Sequence, residues 1–174
     1  MYRPARRAYR RDHNNEADER KGLTMDATRT DRDERAGFPL MGAEIAPIAA
    51  AAETGGAYEL IESTVAPGGG SPPHTLECDK VFYVLEGEIT LVSAGDEHTG
   101  RAGTAVGVPA GTSHNYRNDS GAPARMLVLT SGPGHVEFLR GMSRLAAGGP
   151  PDPAAVEAHA ARHGVRLIAP ARAG

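Results

Sequence analysis

Three stretches of the chain differ in how apolar and polar positions alternate. From Ala57 to Thr130 the apolar residues come in short runs broken by glycine and proline. Tyr58-Glu59-Leu60-Ile61-Glu62-Ser63-Thr64-Val65 predicts a strand, ended by Pro67 and three glycines. Val81-Phe82-Tyr83-Val84-Leu85 predicts another, turned at Gly87 and resumed by Ile89-Thr90-Leu91-Val92. Ala94-Gly95-Asp96-Glu97 makes the next hairpin, and Ala105 to Val108 and Ala124 to Leu129 read as further strands. Short strands separated by frequent turns predict an all-β sandwich or closed barrel. No helix separates them, which argues against a parallel α/β fold.

After Gly134 the period changes. Val136, Phe138, Leu139, Met142 and Leu145 approach i, i+3, i+4 spacing, which predicts an amphipathic helix broken by Gly148-Gly149-Pro150-Pro151. A second helix is predicted from Pro153 to His163, with Asp152 as N-cap and Gly164 as stop signal. Both are expected to pack on the outside of the barrel. The β segment has no second copy, so one barrel unit is expected.

The third stretch, Met1 to Ala36, carries ten Lys/Arg and eight Asp/Glu and almost no bulky apolar side chains. It cannot bury enough apolar surface to offset its ordering entropy, so it is expected to be disordered. The expected domains are therefore a charged tail over 1–36, the barrel over 37–134 and C-terminal helices over 135–174. Arg and Tyr interleave at the start, but acidic residues follow at once, and the solvated-tail reading outweighs a nucleic-acid one. Arg6-Arg7 and Arg10-Arg11 resemble a twin-arginine signal, yet no apolar segment follows either pair. Met25 offers a second start position.

Composition sharpens this picture only a little. The net charge of −3 over 174 residues is too small to indicate nucleic acid or membrane as the main partner. No apolar run approaches the roughly 20 residues that span a bilayer; the longest, Ala43 to Ala52, is interrupted by Pro47. Cys78 is the sole cysteine, so no internal disulfide forms. A soluble, cytoplasmic protein is expected.

Chemistry enters with two motifs. Gly68, His74 and Gly87 resemble the first motif of the cupin superfamily, which runs Gly-x5-His-x-His, three or four residues, Glu, six residues, Gly. Gly103, Pro109, Gly111, His114 and Asn118 match its second motif, Gly-x5-Pro-x-Gly-x2-His-x3-Asn, in full. The resemblance covers about Gly56 to Thr130 and is to small, single-domain, quercetinase-like cupins. It implies a jelly-roll-like β-barrel with C-terminal α-helices, a small-molecule ligand and a homodimer.

Such cupins hold a divalent metal with three His and one Glu. Here the middle ligand position is Leu76 and the Glu position is Lys80. Catalytic zinc sites keep three protein ligands, and non-haem iron uses two His and a carboxylate. His74 and His114 alone fall short, and an ammonium beside them repels a cation. No cofactor is expected. Asp79 should face away by strand alternation, and Glu77 would reach inward only through a shifted register.

Alternation sends His74, Lys80 and His114 toward the barrel interior as candidate acid/base residues. Leu76, Phe82 and Val84 are its candidate apolar wall. Lys80 could bind an anionic ligand, pair with Glu77 or Glu62, or form an imine. Cys78 is either an inert buried thiol or a thiolate beside Lys80. His98, His135, His159 and His163 read as surface residues. The functional readings are an acid/base isomerase, cyclase or lyase; a non-catalytic small-ligand barrel; and a metal-dependent dioxygenase, which Leu76 and Lys80 oppose.

Overall fold

Alternation in β5 (Lys80–Glu86) buries Lys80, Phe82 and Val84 and exposes Val81 and Tyr83. β10 (Ala124–Ser131) follows the same rule, with Ala124, Met126, Val128 and Thr130 buried. In this computed structural model, which describes Arg29 and residues 31–168, these strands lie side by side near the middle of a six-stranded antiparallel sheet. Its other strands are β1 (Phe38–Leu40), β2 (Ala43–Ala49), β3 (Tyr58–Val65) and β8 (Ala105–Val108), in the order β1-β2-β3-β10-β5-β8. A second sheet, of five strands, combines β4 (His74–Leu76), β6 (Glu88–Ser93), β7 (Asp96–Arg101), β9 (His114–Arg117) and β11 (Val165–Leu167), in the order β11-β4-β9-β6-β7. Ile61, Val65, Phe82, Ile89, Leu91 and Met126 meet between the sheets as one apolar core. The fold is an all-β, jelly-roll-like barrel with C-terminal helices.

Turn chemistry fixes how the strands connect. Gly87 joins β5 to β6 at φ +72°, and a Cβ there would come within 2.9 Å of the Ala124 Cα, so only glycine fits. Asn118 is fully buried and donates to the carbonyls of Val65 and Ala122, both at 2.9 Å, while its Oδ1 accepts from Ser120 N–H. The motif asparagine thus holds a loop together and stays out of the site.

Apart from the strands of 58–65, 81–92, 105–108 and 124–129, the sequence reading missed several elements. The Ala43–Ala52 run is mostly strand β2, tolerated with Pro47 because the register of its pairing shifts there. The tail expected over 1–36 and the start at Met25 lie outside the described residues up to position 28. Its end does not behave as expected: Arg32–Glu34 form a 3-10 turn, and Arg32 and Arg35 reach the buried Glu62 carboxylate at 3.2 and 3.3 Å. Arg125 binds the same carboxylate at 3.0 Å. A buried charge with three cationic partners is well placed to hold this segment on the sheet.

The C-terminal part is also more than a covering. α2 (His135–Ala146) and α3 (Pro153–Arg162) appear where the periodicity predicted helices, and Asp152 caps α3 by accepting from Ala154 N–H. Beyond them β11 pairs with β4 in the register Val165↔Leu76 and Leu167↔His74. The chain end is therefore a strand of the barrel. No helix among the described residues is long and apolar enough to cross a membrane.

Candidate functional site

β4 and β9 carry the two motif histidines to adjacent positions, since His74 and His114 are direct cross-strand partners. Their ring centroids lie 4.3 Å apart. His74 Nδ1 is 2.8 Å from the Pro72 carbonyl, and His114 Nδ1 is 2.9 Å from the Thr112 carbonyl. A carbonyl only accepts, so each Nδ1 carries the proton and each Nε2 presents a bare lone pair. Both rings are buried, and both are held well below the ordinary value of 6.5, His74 at about 3 and His114 at about 4. Desolvation is the main cause, with Lys80 the next. They are neutral hydrogen-bond acceptors across the physiological range.

Lys80 reaches the same space from the opposite sheet. Register sets it in a row with Glu59, Thr130 and Val108 across β3, β10, β5 and β8. Its exposure is 3%, and its Nζ sits 5.4 Å from the centre of the Phe82 ring. The expected pairing with Glu77 or Glu62 does not occur. Glu77 is exposed and Glu62 is held by arginines on the far face, and no ion pair forms at Lys80 among the described residues. Desolvation lowers its pKa to about 7, and the only opposing influence is Cys78, in its ionised form. Burial in turn pushes the Cys78 thiol up, so the inert reading fits it.

The cavity around these groups is small, about 70 Å³ as measured by the space open to the centre of a water molecule. His74, Lys80 and Phe82 line it, with Ile61, Val128 and Tyr116. Leu76 and Val84 do not. Val84 is fully buried in the core between the sheets, and Leu76 packs with Phe138, Ala160 and Val165 in the seam under the C-terminal helices. His114 lies just behind the wall, its ring 5.9 Å from that of Phe82.

The sequence reading missed the roof. α2 lies over the mouth of the cavity, contributing His135, Phe138, Leu139 and Met142 to its lining. His135 is 7% exposed, not a surface residue, and desolvation first, then the Lys80 charge, hold its pKa well below 6.5. It is a third imidazole in the same space. The Glu59 carboxylate fixes the helix start by accepting from Val136 N–H at 3.0 Å. His159 is buried as well, tying α3 to α2 through Phe138. Only a helix period was visible in the sequence, and a period does not say what the apolar face covers.

The donor set does not suit the metal that the motifs imply. His74 and His114 aim correctly, but an alkyl chain and an amine stand at the other two ligand positions. Asp79 turns outward and accepts from Ala110 N–H, and Glu77 is exposed. Among the described residues no three His, Cys, Asp or Glu side chains are grouped closely enough to hold an ion, His135 included. Ser63 Oγ and His135 Nδ1, on residues that line the cavity, and His114 Nε2 and Thr130 Oγ1 behind them, are buried and find no protein partner among the described residues. Such atoms suit a ligand with hydroxyl or carbonyl groups.

Comparison with known proteins agrees with this architecture. The family model described as a cupin domain matches residues 61–130. The polyketide cyclase RemF of Streptomyces resistomycificus is 25% identical over 60% of this chain and 79% of that one, with a TM-score of 0.56. A sugar phosphate isomerase of Silicibacter pomeroyi is 24% identical over 62% and 77%, with a TM-score of 0.53. A predicted oxalate decarboxylase of Thermotoga maritima is 18% identical over 60% and 99%, with a TM-score of 0.56. The last two show the fold alone. No curated protein matches the chain.

Proposed function

This chain belongs to the cupin superfamily, and we propose that it is a small-molecule enzyme that works by proton transfer, as an isomerase, cyclase or lyase, on a carbonyl compound with a largely apolar body. The setting of Lys80 carries this reading. A buried amine without a carboxylate partner opens onto an apolar cavity beside two imidazoles with bare Nε2 atoms. An acid or base is most effective when its pKa lies near the working pH. Lys80, at about 7, meets that condition, while His74 and His114 at about 3 and 4 do not.

The roles expected from sequence therefore shift. From sequence, His74, Lys80 and His114 were candidate acid/base residues alike. In the reading supported here, Lys80 is the group that changes charge around neutrality, and His74 accepts hydrogen bonds from substrate hydroxyl or enol groups. His135 and Phe138 on α2 close the space above the substrate and exclude water. The likeness to a polyketide cyclase supports a carbonyl-bearing carbon skeleton as substrate. A metal-dependent dioxygenase is disfavoured by the donor set, and a barrel that binds without turnover is the remaining competitor.

Deuterium wash-in next to the carbonyl of two apolar probes, phenylacetaldehyde and benzylacetone, tests the reading by NMR. The protein should accelerate exchange, with activity falling as pH drops through about 7. Lys80→Met should lose the acceleration. Binding of the probes with equal exchange in both proteins would leave only the non-catalytic barrel.

A further inference from the structure

We infer that Lys80 is a carbonyl-capturing amine, whose Nζ condenses with an aldehyde or ketone inside the barrel to form an imine. This rests on the proton-transfer reading for its cavity and substrate class, and adds a covalent step to it. The first support is compositional. Of the nineteen Lys and Arg in the chain, only Lys21 and Lys80 are lysine. Every other basic side chain among the described residues is arginine, including those at Glu62 and at Glu97. Arginine serves ion pairing and anion binding better and never loses its proton. Lysine, unlike arginine, can serve as a neutral amine.

Placement supplies the second support. Lys80 is 97% buried by its 3% exposure, lines the cavity, and pairs with no carboxylate among the described residues. A counter-ion would keep it protonated and unreactive. Without one, desolvation in an apolar pocket is the setting that activates lysine as a nucleophile. Its pKa of about 7 leaves about half of the amines neutral at that pH.

Around it stand Cys78, His74, His114 and His135, which are neutral here, and Glu59, whose carboxylate is engaged by Ala51 N–H and Val136 N–H. The step balances. The Nζ lone pair forms the C–N bond as the carbonyl π pair moves to oxygen, and a proton passes from nitrogen to that oxygen through an intervening water. Loss of water then breaks the C–O bond and leaves the imine. Protonated, the imine acidifies the neighbouring C–H, which is then within reach of a weak base. Water reverses the capture.

The test is reductive trapping of the full chain with phenylacetaldehyde and sodium cyanoborohydride near neutral pH, read by intact mass and peptide mapping. Lys80 should acquire one phenylethyl group, on the order of tenfold or more faster than Lys21. Folded Lys80→Arg and Lys80→Met variants should show only the adducts at Lys21 and the N-terminal α-amine, which peptide mapping separates from Lys80. Labelling of Lys21 at the same rate, or no labelling of Lys80, overturns the inference. Deuterium exchange run on the same samples separates the two claims. Accelerated exchange without a Lys80 adduct removes the imine and leaves proton transfer standing, and absence of both removes both.

Discussion

Lys80, His74 and His114 share one physical constraint, that each sits in a space too dry to hold its charged form. Their lowered pKa values are therefore also statements about stability. Between about 7 and 10.5 the unfolded chain binds a proton at Lys80 that the folded chain does not, so stability should rise with pH across that window. The histidines act in the same direction lower down. Their contribution is complete above 6.5 and is lost as pH falls toward about 4 and 3. Urea titrations should show a fold that strengthens from acid to mildly alkaline pH. Lys80→Met should abolish the alkaline part of the rise and gain on the order of a few kcal/mol at neutral pH. An unchanged alkaline slope in that variant would mean that Lys80 is not desolvated. The residues that matter here were visible in the sequence as deviations from a motif. Their protonation states were not, because these depend on how much water the finished fold excludes.

At the scale of elements, the roof of the cavity is held by contacts that no local pattern reveals. α2 begins at Gly134 and is pinned by Glu59, a buried carboxylate some 77 positions away that accepts from Val136 N–H. Further along, α2 and α3 touch where Gly141 leaves room for the His159 ring, which stacks on Phe138 at 5.7 Å and donates from Nε2 to the Phe138 carbonyl at 3.0 Å. A Cβ at Gly141 would overlap that ring. Gly141→Ala should therefore lower stability by about 1–3 kcal/mol despite alanine's better helix propensity. Adding His159→Ala should recover part of the loss. Destabilisation by the double variant that equals the sum of both singles would argue against the close helix contact. Helix spacing predicted that α2 exists. It could not show that its apolar side covers a cavity, because spacing is blind to the partner surface.

At the scale of the molecule, β11 makes the C-terminal segment part of the barrel. Deleting residues 150–174 would remove α3 and β11, strip β4 of a partner strand and uncover Leu76 and Phe138. Loss of that cluster should cost ~3 kcal/mol or more and expose apolar surface to a hydrophobic dye. A truncated chain that melts like the intact one would show that the barrel closes without its last strand. The sequence alone determined the all-β class, the strands of 58–65, 81–92, 105–108 and 124–129 and the identity of His74, Lys80 and His114, because alternation and turn residues are local and the motif spacings are fixed by the chain. Tertiary structure decided that Leu76 belongs to the helix seam, that His135 joins the site and that the end of the charged segment docks on Glu62. Each of these depends on which distant surfaces meet, and no run of neighbouring residues encodes that.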